Sequence, residues 1–134
     1  MKRLLIVEDS ELNRDLLTQI LDETFTLLMA SDGQAGLDLA ERERPDLVLL
    51  DLSLPIVDGW EVARRLKANA RTRGIPLIAL TAHAMRDDER RAVEAGCDAY
   101  VAKPLDEDVL LATIHRLLGG REEARGPSAL GDGG

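Results

Sequence analysis

The stretch VLLDLSLPIVDG, residues 48–59, decides how this chain is read. Val48, Leu49 and Leu50 run without polar interruption into Asp51, and Pro55 and Asp58-Gly59 follow. A short apolar run of this kind reads as a strand buried on both faces. Its end on a carboxylate poses the question of whether Asp51 is turn chemistry or a functional group. Similar runs occupy Leu4–Val7, Phe25–Ala30, Asp46–Leu50, Pro76–Leu80 and Ala99–Ala102. Between them the apolar spacing is helical. In residues 10–23, Leu12, Leu16, Leu17, Ile20 and Leu21 share a stripe behind a Ser10 N-cap. Residues 34–44 offer Ala35, Leu37, Leu39 and Ala40, and residues 59–69 offer Val62, Ala63 and Leu66. Residues 85–95 place Ala92, Val93 and Ala95 inward. Residues 106–118 place Val109, Leu110, Ile114, Leu117 and Leu118 inward, and Gly119 stops them. Strict alternation of strand and helix predicts an α/β fold: a five-stranded parallel sheet, right-handed crossovers and helices on both faces. The doubly wound order 2-1-3-4-5 suits five strands.

The 134 residues suit one domain, able to bury roughly two-thirds of the unfolded surface. Apolar residues make up 45% and aromatics only 2%, so Leu, Val, Ile and Ala must fill the core. The domain is expected over residues 1–118. The glycine-rich tail, 119–134, reads as disordered. No apolar run approaches a membrane span, and the short run after Met1-Lys2-Arg3 is not that of a signal peptide. Cys97 is the single cysteine, which excludes an internal disulfide and favours a reducing, cytoplasmic setting. A net charge of −8 repels phosphate backbones and argues against nucleic-acid binding.

Ligands of an open parallel sheet bind beyond the carboxyl ends of its strands, where the order reverses. In order 2-1-3-4-5 that point lies between strand 1, which ends at Glu8-Asp9, and strand 3, which ends at Asp51. Strand 4 ends at Thr81, and strand 5 runs out at Lys103-Pro104 on the same edge. Converging carboxylates repel and raise one another's pKa. A hard divalent cation offsets this, and Mg2+ suits a few carboxylates and several waters. With the Lys103 ammonium and the Thr81 hydroxyl, the group forms a cradle for a phosphoryl group, and Asp51 becomes the nucleophile.

At this point the sequence resembles the response-regulator receiver domains of two-component signalling. The resemblance rests on Glu8-Asp9, Asp51 in LLDLSLPIVDG, Thr81-Ala82 in IALTA and Lys103-Pro104 in YVAKP, and spans residues 3–118. It implies a flavodoxin-like receiver fold with Asp51 as phosphoacceptor. Asp9, Asp51 and the Ser53 main-chain carbonyl would ligate Mg2+, for which Mn2+ substitutes, and Glu8 would reach the metal through water. Thr81, the Ala82 amide and Lys103 would bind the phosphoryl oxygens. Tyr100 matches the switch aromatic, although packing against helix 4 is its plainer reading. Lys103-Pro104 is expected to be cis. Ser53 and His83 occupy the variable positions that influence phosphoryl lifetime; an exposed loop histidine is the plainer reading of His83. The implied partners are a sensor histidine kinase or histidine phosphotransfer protein and a downstream protein target. The protein would be a monomer or a weak phosphorylation-dependent dimer. The implied function is a stand-alone switch that signals through its helix 4–strand 5–helix 5 face and catalyses only its own modification.

Duller roles are expected elsewhere: Asp58 as a helix cap, Pro55 and Gly59 as loop formers, Cys97 in packing, and no functional role for Trp60. Three rivals are weighed. A dehalogenase-type phosphatase needs a second Asp two residues past Asp51, where Ser53 stands. An FMN protein needs a phosphate-binding first loop, and EDSELN is acidic and lacks glycine. A receiver cut from a hybrid kinase, or one that binds protein without being phosphorylated, stays open as an alternative.

Overall fold

The computed structural model describes residues 1–54, 57–81 and 86–123, with side chains for all but 86–89 and 120–123. Five strands, β1 (Arg3–Val7), β2 (Thr26–Ala30), β3 (Leu47–Asp51), β4 (Leu77–Thr81) and β5 (Ala99–Ala102), alternate with five helices. The helices are α1 (Glu11–Leu21), α2 (Gly33–Glu43), α3 (Gly59–Ala68), α4 (Arg86–Glu94) and α5 (Glu107–Glu123). All neighbouring strands pair in parallel, in the order β2-β1-β3-β4-β5. The expected α/β fold and strand order are therefore those observed.

The three central strands are buried on both faces, which explains why they carry no polar alternation. Leu4, Ile6, Leu47, Leu49, Ile78, Leu80 and Val101 face α1 and α5 and meet Leu17, Leu21, Leu110 and Ile114. Leu5, Val7, Val48, Leu50 and Leu77 face the other way and meet Ala40 of α2 and Val62, Ala63 and Leu66 of α3. Leu52 and Ala79 meet Ala92 of α4 in a smaller cluster, with Trp60, Cys97 and Tyr100 packed against it. Burial of a large aliphatic side chain contributes roughly 1.5–3 kcal/mol, so these layers dominate the fold's stability.

Helix starts are set by side-chain caps. Ser10, Asp32 and Asp58 accept from the amides of Asn13, Ala35 and Glu61. Asp106 does the same for Val109 at the start of α5. Each such cap contributes roughly 1 kcal/mol. At the other end of α2, the Arg3 guanidinium donates to the carbonyls of Glu43 and Arg44, and Arg44 itself turns left-handed at φ 45°.

Three expectations are corrected. Of the α1 stripe, Leu17 and Leu21 are buried, but Leu12 is 78% and Leu16 42% exposed. The apolar residues span about half the helix circumference, wider than the sheet can cover, and only the far end of α1 packs down. Val93 and Val109, expected inside, are 66% and 50% exposed. Helix α5 continues through Gly119 and Gly120 to Glu123. A helical glycine costs about 1 kcal/mol relative to alanine, and this does not stop a helix whose other residues favour it. Pro55, Ala82 and His83 lie outside the described residues, as does the tail from residue 124.

Gly59 is fixed by the end of β3 itself. A Cβ there would lie 2.4 Å from the Asp51 carbonyl oxygen and 2.4 Å from the Leu52 Cα. That wall is backbone and cannot rotate away. Gly59→Ala should therefore destabilise the protein by about 1–3 kcal/mol, the usual cost of overpacking. Urea unfolding measures this, and a change within error of zero would show that α3 can shift away from β3.

Candidate functional site

The carboxyl edge of the sheet gathers its charges by strand periodicity. Asp51 continues the alternation of Leu47 and Leu49, Glu8 that of Leu4 and Ile6, and Lys103 follows Val101 by two. Alternate residues share a face, so the three side chains emerge on one side of the edge. The Lys103 ammonium accordingly lies 3.3 Å from Glu8 Oε1 and 3.5 Å from Asp51 Oδ1. The backbone is locked nearby by the Lys103 amide, which donates to the Thr81 carbonyl at 2.7 Å. Lys103–Pro104 is cis.

Among the described residues, Glu8, Asp9 and Asp51 form a group whose carboxylate oxygens lie within 4.8 Å of one another. Glu8 and Asp51 are buried, at 0% and 3% exposure, and Asp9 is exposed. Burial raises the Glu8 pKa above its ordinary 4.5, and the hydrogen bond and charge of Asp51 push the same way. The Ser10 amide and the Lys103 ammonium oppose this, and burial wins. The Lys103 ammonium therefore does not outweigh the burial of Glu8. The donor set is all oxygen, partly buried and over-negative, which fits a hard divalent cation such as Mg2+.

Thr81 and Ser53 fall close by. Thr81 is buried at the end of β4, beside Ala102 in the register with β5. Ser53 is exposed, and its amide donates to Asp51 Oδ1 at 3.0 Å, which fixes the main chain beside the carboxylate. Tyr100 lies away from this edge. It is half-buried on β5 and lines a groove of about 260 Å³ with Ala92, Val93, Cys97, Thr113 and Arg116. Cys97 is packed in, and burial, with help from Asp98, pushes its thiol up to about 11, so it holds its proton at neutral pH.

Two features escaped the sequence analysis. The Arg14 guanidinium donates to the Glu8 carbonyl at 2.8 Å. Its position on α1 reads as an ordinary solvated charge, and only its six-residue offset from Glu8 hints that it folds back. The Arg91 guanidinium lies 4.1 Å from the centroid of the Trp60 ring and ties α4 to α3. Such a contact contributes about 0.5–1 kcal/mol at a partly exposed site. Among the described residues, no helix is long and apolar enough to cross a membrane.

The model of the response regulator receiver domain family matches residues 4–115. The chain is 42% identical over 119 residues to a polar-differentiation response regulator, DivK, of Brucella anthropi, covering 88% of this chain and 97% of that relative. It is 33% identical to the receiver domain of a sensor histidine kinase from Pseudomonas aeruginosa, with a TM-score of 0.82 over 88% of this chain and 98% of that one. That crystal structure has a magnesium ion coordinated in its active-site cleft. A CheY-like receiver domain protein from Methanospirillum hungatei is 31% identical, with a TM-score of 0.84 over 92% of this chain and 98% of that one.

The raised Glu8 pKa has a definite sign for stability. The folded state holds this proton more tightly than the unfolded one, so the contribution is greatest below 4.5 and is lost as pH rises through the raised value. In metal-free buffer Glu8→Gln should therefore melt higher than wild type at neutral pH, with the gap closing towards pH 4.5. A variant that melts lower than wild type across this range would show that the Lys103 pair outweighs burial.

Proposed function

The chain belongs to the response regulator receiver domain family, and from that membership we propose that Asp51 accepts a phosphoryl group from a phosphohistidine donor. The family consists of signalling switches rather than conventional enzymes. The observation that carries the proposal is the buried Asp51 carboxylate flanked by Lys103, Glu8 and Asp9 at one sheet edge.

The step balances simply. An Asp51 carboxylate oxygen forms a bond to phosphorus while the phosphorus–nitrogen bond to the donor imidazole breaks, and the imidazole leaves with the electron pair. Lys103 holds positive charge beside the oxygens that gain negative charge. Thr81 offers a hydroxyl donor, and the Ala82 amide is assigned the same role. The Ser53 amide holds Asp51 Oδ1 in place. Asp9, Asp51 and the Ser53 carbonyl would ligate Mg2+, with Glu8 reaching it through water. When bound, Mg2+ would supply the positive charge that one lysine cannot.

The donor is assigned as a sensor histidine kinase or a histidine phosphotransfer protein. The exposed Leu12 and Leu16, on α1 just past Asp9, offer it an apolar ridge beside the site. A reducing, cytoplasmic setting suits such a donor and the single cysteine. Once formed, the aspartyl phosphate adds charge and acceptor oxygens beside Thr81. Movement of Thr81 towards it would free space for Tyr100. That change biases the groove between α4, β5 and α5 towards a second arrangement, which a downstream protein reads. His83 and Ser53 are assigned influence over the lifetime of the phosphoryl group.

With acetyl phosphate and Mg2+, wild type should gain one phosphoryl group by mass spectrometry, and Asp51→Asn should gain none while remaining folded. Labelling of the variant at the wild-type level would remove Asp51 from its role. Absence of labelling in wild type under these conditions would favour a receiver that binds protein without being phosphorylated. Thr81→Ala should still be labelled, but the Tyr100 ring resonances should then shift less than in wild type. An undiminished shift would break the link between the two residues.

A further inference from the structure

Glu8 is held at every polar atom. Its amide donates to the Ala30 carbonyl at 3.0 Å, and its Oε2 accepts from the Ser10 amide at 3.2 Å. Its Oε1 faces the Lys103 ammonium at 3.3 Å, and its carbonyl accepts from Arg14 at 2.8 Å. The next residue, Asp9, is exposed. The Glu8 carbonyl and the Asp9 amide belong to one rigid peptide plane. Fixing that carbonyl fixes the rotation of the plane, and this restricts the directions in which the Asp9 side chain can leave the main chain. Arg14 is half-buried, and among the described residues no carboxylate lies within ion-pair distance of it. Its guanidinium is spent on the main chain of the acidic loop.

We propose that Arg14 is a positioning residue for the metal site. By holding the Glu8 carbonyl it aims the Asp9 carboxylate at a divalent cation. Mg2+ demands near-octahedral oxygens at about 2.0–2.1 Å, so a rotated peptide plane costs affinity directly. The inference rests on the reading of Glu8, Asp9 and Asp51 as the metal site.

Charge and positioning predict opposite signs for the loss of Arg14. A guanidinium beside a cation site repels the cation, so charge alone predicts tighter Mg2+ binding once it is removed. Positioning predicts weaker binding, by about tenfold, as for other groups that orient a ligand without touching the metal.

The test is calorimetric titration of Mg2+ into wild type, Arg14→Ala and Arg14→Lys at fixed ionic strength. Arg14→Ala should bind about tenfold more weakly, and Arg14→Lys, whose ammonium can donate the same bond, should recover part of the loss. The Asp9 amide resonance should move in the metal-free alanine variant. With acetyl phosphate, the alanine variant should need more Mg2+ for half-maximal labelling yet reach the wild-type rate at saturation. Equal or tighter binding in Arg14→Ala overturns the proposal, and so does a lysine variant as weak as the alanine one. If wild type itself bound no Mg2+, the reading of the carboxylates would fall first. If wild type binds and Arg14→Ala matches it, only the role of Arg14 falls.

Discussion

Among the described residues, two carboxylates, Glu8 and Asp51, lie out of water against one ammonium, Lys103. This imbalance organises the carboxyl edge of the sheet. Taking a carboxylate out of water is costly unless it is paired and hydrogen-bonded. The surroundings supply part of that pairing: the Ser10 and Ser53 amides donate to the two carboxylates, and Lys103 is brought across from β5. Burial nonetheless pushes the Glu8 carboxyl above its ordinary range. A site left over-negative in this way is suited to gain a cation.

The fold makes the arrangement possible because it is parallel. Every strand delivers its carboxyl end to the same edge, so residues distant in sequence share one crevice. Asp51 and Glu8 come from neighbouring central strands, and Lys103 reaches over from the far side of β4. The close contact of Gly59 with the Asp51–Leu52 backbone sets α3 hard against the same loop. Trp60, the next residue, packs against the cluster of Leu52, Ala79 and Ala92 and carries Arg91 of α4 on its face. The site, α3 and α4 are therefore mechanically contiguous.

Much of the fold was legible because its signals are local. Unbroken apolar runs mark two-sided burial, and Ser10 and Asp58 mark helix starts through bonds to residues three positions away. The candidate site was legible for a related reason: in a parallel sheet, the charged residues that end several strands share one edge. What escaped depends on neighbours distant in the chain. The apolar width of α1 does not reveal that Leu12 stays in solvent while Leu17 is covered. Gly119 looked like a stop because glycine is a weak helix former, yet helical hydrogen bonding carries α5 to Glu123.

The sequence by itself determined the alternation of strands and helices, the order of the sheet and the acidic and basic residues that end its strands. These follow from periodicity and from the rule that parallel crossovers are right-handed. Tertiary structure alone decided that Lys103 is shared between Glu8 and Asp51, that Arg14 turns back onto the Glu8 carbonyl, and that Arg91 rests on Trp60. Each of these is a contact between side chains or main-chain atoms on different elements. Its existence depends on distances of a few ångströms that no spacing along the chain encodes.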